Sequence, residues 1–159
     1  NHPTDIAQAP NGDYYVSDGY GNSRVHCFAA DGTFRFSWGR PGGGPGEFTT
    51  PHAVWVDSAE RVLVADRENN RVQLFDLEGR FIEAWTDFFH PMDIYADPAG
   101  NVFVTDQIPR LSMLSPDGTL IGRCRPVRFG AHGVGGDNAG NLYLAETAPL
   151  DCITRLRLL

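Results

Sequence analysis

Lysine is absent: all 13 basic residues are arginine. Chemistry through a lysine Schiff base or a Walker-type phosphate lysine is therefore excluded. Against 20 Asp and Glu the formal net charge is −7, and no run of arginines offsets it. Nucleic acid is not an expected partner, because its phosphates would meet mostly repulsion. No stretch approaches the roughly 20 apolar residues of a membrane helix, so no membrane span is expected, and no amino-terminal segment reads as a signal peptide. Cysteine is sparse and odd in number, with Cys27, Cys124 and Cys152 widely spaced in apolar, strand-like text. They read as small buried hydrophobes, the alternative being one disulfide or a metal thiolate.

What is plentiful is turn chemistry. With 18 Gly, 11 Pro and 42% hydrophobic residues in 159, the chain reads as a globular domain of many short strands. Self-similarity then sets the fold. An acidic residue ends a short apolar run four times, in VSDGYGNSR from Val16, VADRENNR from Val64, VTDQIPR from Val104 and LAET from Leu144. These anchors, Asp18, Asp66, Asp106 and Glu146, stand 48, 40 and 40 residues apart, the period of a β-propeller blade. Each unit repeats one order. A first strand (Asp5 to Ala9, Ala53 to Asp57, Asp93 to Asp97, Gly133 to Asp137) turns into a second that ends at the anchor. A third follows (Val25 to Phe28, Val72 to Phe75, Leu111 to Leu114, Ile153 to Leu158), and a fourth closes the unit (Phe34 to Trp38, Phe81 to Trp85, Leu120 to Cys124). Turns such as Asn11-Gly12, Asp31-Gly32 and Asp117-Gly118 supply the glycine a tight hairpin needs.

The expected fold is all-β: one β-propeller region over 1–159, with units of about 1–39, 49–87, 89–125 and 129–159. The last unit lacks its outer strand, and such a bare edge is a liability that propellers cover with a borrowed strand. The missing strand, and further blades, are expected upstream of Asn1, giving a four-blade portion of a six-bladed ring. A four-bladed ring closed by another chain is the competing account. Residues 40–48 (RPGGGPGEF) look superficially like a phosphate loop, yet no Gly-Lys-Ser/Thr follows. They read as a flexible connector between blades.

In such a unit the residue entering the first strand and those leaving the second share one rim, so binding chemistry is sought there. Alignment puts Thr4, His52, Met92 and His132 in one column, just before the first strand and nearest the axis. On a six-bladed ring, histidines in alternate units would converge like a tripod, with a third supplied from upstream. Three neutral imidazoles and an open fourth position make a catalytic zinc arrangement. The bland alternative is that His52 and His132 only hydrogen-bond at the channel mouth. His90 lies two residues out of the column, and His2 and His26 have no partners in phase, so these three read as structural. On the same rim Tyr20 and Arg67 are specific to their units, a candidate general acid or base and a candidate carboxylate clamp. Asp18, Asn22, Arg24, Asp66, Asn70 and Arg71 recur between units and read as ties within the loop.

These runs resemble NHL repeats. VSDGYGNSR, then GPGEF with Pro51-His52, then VADRENNRVQ, are similar to peptidyl-α-hydroxyglycine α-amidating lyases, above all bacterial relatives. The resemblance covers essentially the whole chain as the last four blades of a six-bladed enzyme. It is strongest from Val16 to Phe75 and weak from Phe88 to Arg128. It implies zinc held by three histidines on alternate blades, two of them His52 and His132, with Tyr20 as catalytic base and Arg67 as an active-site arginine. It also implies two departures. Gly133 replaces an Asp that helps bind a structural calcium, which counts against calcium here. Asn1 and Gly21 replace one family disulfide, Leu63 and Leu74 the other.

The resulting expectation is a zinc-dependent lyase-like propeller in the full-length parent, acting on a small peptide-like substrate, with this portion alone inactive. The alternative is a non-catalytic NHL propeller that binds a peptide or protein on its rim. A calcium-dependent lactonase-type propeller is third, because the column offers histidines rather than oxygen ligands. The compartment stays open, an exported bacterial protein being one reading of it.

Overall fold

The computed structural model describes residues 1–147, 149 and 151–157. Its contacts divide the chain into two compact units, Asn1–His90 and Pro91–Leu159. Each holds two antiparallel sheets in which strands pair in sequence order, the simplest consequence of successive hairpins. The first unit contains β1 (Asp5–Gln8), β2 (Tyr14–Asp18), β3 (Arg24–Phe28) and β4 (Phe34–Trp38), then β5 (Pro51–Val56), β6 (Val62–Asp66), β7 (Arg71–Phe75) and β8 (Phe81–Trp85). The second contains β9 (Pro91–Ala96), β10 (Val102–Asp106), β11 (Leu111–Leu114) and β12 (Leu120–Cys124), then β13 (Ala131–Gly136), β14 (Asn141–Glu146) and β15 (Ile153–Arg157). The last sheet thus has three strands among the described residues; Leu158, expected to end β15, lies outside them. Among the described residues no helix is long and apolar enough to cross a membrane.

One device recurs in both kinds of hairpin. An Asp at the end of the incoming strand accepts backbone N–H groups just beyond the turn, and a residue with positive φ completes it. Asp57 takes the N–H of Ala59 and Arg61, Asp76 those of Glu78 and Arg80, and Asp137 those of Ala139 and Asn141. The left-handed position is Gly79 and Gly140 in two of these turns, while Glu60 holds it at φ 59° without that relief. At Asp137 the Asn141 amide and the Tyr143 hydroxyl also donate, holding its pKa down to about 2. A depressed carboxylate stabilises the fold above its ordinary value of 3.8, and that contribution is lost as pH falls through about 2. Asp137→Asn is expected to flatten this part of the acid limb in a plot of Tm against pH. An unchanged limb would show that the turn carries no charge-dependent stability.

Burial explains why the inner text is so apolar. β6 and β10 are buried along their whole length, whereas β2 and β14 alternate. In the first unit the core joins both sheets, with Tyr15, Val25 and Cys27 packed with Phe48, Val54, Val64 and Phe75. The Tyr15 hydroxyl donates to the Leu77 carbonyl at 2.8 Å, satisfying the one polar atom that ring brings inside. In the second unit Phe103 and Leu111 pack with Ala131, Leu142 and Leu144. An Asp on the first strand of one sheet caps a backbone N–H on the first strand of the next: Asp5 takes Val54 N–H at 2.9 Å, and Asp93 takes Val134 N–H at 2.7 Å. Burial pushes the Asp5 carboxyl up, against the pull of that bond and of the Ile6 N–H.

Three sequence expectations are corrected here. Only Cys27 is buried; Cys124 and Cys152 are exposed, and all three are free thiols. The connector is no loose tether. Arg71 donates to the carbonyls of Gly43, Gly44 and Glu47, Gln73 bridges Gly46 N–H and the Glu47 carbonyl, and Asn69 holds the Gly42 carbonyl. Finally, Asp66 is tied by Arg71, but Arg24 at the matching position turns to the Ser37 hydroxyl, and His26 faces Asp18 at 3.3 Å instead.

Candidate functional site

Of the column expected just before the first strand, Thr4 does precede β1, but His52, Met92 and His132 lie inside β5, β9 and β13. Pro51 pairs with Asp66 and Ala53 with Ala65, so His52 is the extra residue of a β-bulge. Met92 and His132 hold the same place between Pro91 and Asp93 and between Ala131 and Gly133. A bulge adds one residue to a strand and re-aims its side chain, which is why period-two patterning began these strands too late. Two residues before each column position the backbone takes positive φ, at His2 (66°), Thr50 (57°), His90 (49°) and Gly130 (119°). His2 and His90 are therefore in phase with each other, a relation the sequence reading missed. Thr50 is the costly member, since a β-branched residue is rare in that region.

Three of the four expected site residues meet in the first unit. Tyr20, 59% exposed, accepts a hydrogen bond from Arg67 Nη1 at 3.2 Å, and its ring stands edge-on to His52 at 5.9 Å and 90°. His52 itself is only 5% exposed. Arg67 begins a single 3-10 turn, Arg67–Asn69, which follows directly from β6. The turn is pinned to the strained entry of β5, because the N–H groups of Arg67 and Glu68 donate to the carbonyls of Thr50 and Thr49. Glu68 was not singled out from sequence, yet its carboxylate lies 3.4 Å from Arg67 Nε and 3.5 Å from His90 Nδ1. Only its occurrence in a single unit could have drawn attention to it. His132, at the equivalent bulge of the second unit, is exposed.

Close approach is what makes the first-unit cluster possible. A Cβ on Gly19, next to Tyr20, would lie 2.3 Å from the Pro51 carbonyl oxygen, the residue before His52. Thr4 fastens the same carbonyl through its hydroxyl at 2.8 Å. Gly19→Ala must push backbone from backbone and is expected to cost about 1–3 kcal/mol while parting Tyr20 from His52. Denaturant unfolding measures the loss; a fully stable variant would mean the loop yields freely.

For zinc the donor set in this chain is partial. Two imidazoles occupy equivalent bulges, and among the described residues no three of His, Cys, Asp and Glu gather to hold a metal. The two residue pairs that the resemblance sets at disulfide positions are neighbours here. A Cβ on Gly21 would lie 2.9 Å from the Cβ of Asn1, and Leu63 pairs with Leu74 across β6 and β7.

Successive antiparallel sheets, three of four strands and one of three among the described residues, define a β-propeller of the NHL type. The chain belongs to the DUF5128 family of six-bladed β-propellers, which it matches over residues 5–108. It is similar to human NHL repeat-containing protein 3, at 35% identity over 133 residues, 78% of this chain and 38% of that protein. A probable peptidyl-α-hydroxyglycine α-amidating lyase of Caenorhabditis elegans is 43% identical over 76 residues, 46% of this chain and 22% of the relative. The chain thus spans well under half of these relatives. Hydrazine synthase of Kuenenia stuttgartiensis shares the fold, with a TM-score of 0.80 at 14% identity over 98% of this chain and 46% of that one.

Proposed function

We propose that the parent protein is an amidating-lyase-like propeller that cleaves a peptidyl-α-hydroxyglycine to a peptide amide and glyoxylate. The observation that carries this is the meeting of Tyr20, Arg67 and the bulge residue His52 on one rim, with the likeness to the nematode lyase in support. Arg67 binds and orients the substrate carboxylate as a bidentate partner. The Tyr20 oxygen takes the proton of the substrate hydroxyl, the carbon–nitrogen bond breaks with its electron pair going to the amide nitrogen, and Tyr20 returns that proton to the nitrogen. The oxygen left on carbon becomes the aldehyde of glyoxylate. His52 and His132, with a third imidazole from another blade, would hold zinc, which when bound supplies Lewis acidity toward that hydroxyl. Calcium has no part in this reading.

A second reading is a rim that binds a peptide or protein without turnover. It is favoured by the NHL repeat-containing relative, whose alignment covers more of the chain than the lyase's does. Zinc analysis and turnover on an α-hydroxyglycine peptide, with the full-length parent, separate the two. His52→Ala is expected to weaken zinc binding by more than the roughly 100-fold that losing a supporting partner costs, with the melting temperature retained. A metal-free, inert parent leaves the binding module.

A further inference from the structure

Independent of the lyase reading, a second feature lies wholly within the Pro91–Leu159 unit. A depression of about 500 Å³ is lined by Ile108, Pro109, Arg110, Arg123, Cys124 and Arg125, within the size range of small-ligand sites. Its walls come from the loop that leaves β10 and the end of β12, so half of the lining is guanidinium and the rest is apolar or thiol. In a chain of net charge −7, residues 107–130 hold four arginines and one acid, Asp117. That acid lies in the β11–β12 turn, at the far end of the hairpin, where it accepts the Thr119 N–H.

The arginines are held in place, as recognition requires. Arg110 is fixed by the fully buried carboxylate of Asp106, which also balances its charge. Arg123 donates from Nε to the hydroxyl of Ser112, itself fully buried, at 2.9 Å. Arg125 reaches the Arg128 carbonyl at 3.4 Å. Beside them Ile108 is 40% exposed, an apolar surface next to the charged one. Guanidinium forks anchored in advance lose little freedom on meeting a planar oxyanion.

We infer that this depression is a binding site for a small organic anion, a carboxylate or phosphate group carried on an apolar body. Arg123 and Arg125 supply the charge, Arg110 shapes the wall, and Ile108 and Pro109 take the apolar part. Arginine rather than lysine suits this task, since its donors match two oxygens at once.

Cys124, in the wall, gives a local readout. The intact protein is treated with N-ethylmaleimide in the presence of hippurate, phenyl phosphate or neutral N-benzoylglycinamide. Alkylation is followed on the Cys124 peptide, with the exposed Cys152 as internal reference. At an anion concentration about ten times its Kd, Cys124 labelling is expected to slow about tenfold while Cys152 is unaffected and the amide does nothing. Preference for hippurate assigns a carboxylate, and preference for phenyl phosphate assigns a phosphate. The variant R125M leaves the Arg123–Ser112 bond intact and is expected to weaken protection about tenfold; R123M/R125M abolishes it. The inference is overturned if the amide protects equally, if the double variant keeps protection, or if neither anion protects up to about 10 mM.

Discussion

Asp66→Ala is expected to destabilise the protein by about 3–5 kcal/mol, the cost of breaking a buried ion pair from one side. An exposed pair would be worth no more than about 1 kcal/mol, so burial decides the magnitude. Asp66 is fully buried. One of its oxygens takes the Thr49 N–H at 2.8 Å; the other takes Asn69 Nδ2 at 2.9 Å, Arg71 Nε at 2.8 Å and Gln73 Nε2 at 3.0 Å. Arg71 and Gln73 in turn hold the carbonyls of the glycine-rich connector. Truncation therefore strands the half-buried Arg71 cation and loosens the entry to β5, where His52 sits. Urea unfolding followed by circular dichroism measures it, and Asp66→Asn, which keeps the shape but not the charge, should lose less. A loss below about 1 kcal/mol would mean that the network does not hold the connector.

Tyr20→Phe removes a single oxygen. On the lyase reading it is expected to lower turnover of the full-length parent by about 10²- to 10⁴-fold, the usual worth of a positioned acid or base. Stability should be unchanged, because Tyr20 is 59% exposed and its bond to Arg67 lies at the surface. Arg67→Met should act chiefly through KM, since it removes a substrate clamp rather than the proton acceptor. Turnover that survives Tyr20→Phe within about threefold would exclude Tyr20 as the base.

Much of this was legible in the chain itself. The spacing of Asp18, Asp66, Asp106 and Glu146 marks four units, and the Asp-and-glycine turns place the hairpins, because strand alternation and turn chemistry act within a few residues. Tyr20 and Arg67 were picked out because unit-specific polar residues stand out against a repeat, and His52 because its column holds histidine in alternate units. Glu68 and His90 were not, for their link runs between the end of β6 and the entry to β9 rather than along any one strand.

Local sequence thus determined that the strands exist, their order, and the rim on which the polar residues gather. Tertiary packing decided the rest: the bulge that carries His52 into β5, the positive φ of Thr50, the fastening of the connector and the exposure of Cys124. Each of those depends on what lies across the sheet or on the neighbouring one, and hydrogen-bond partners distant in sequence leave no period to read.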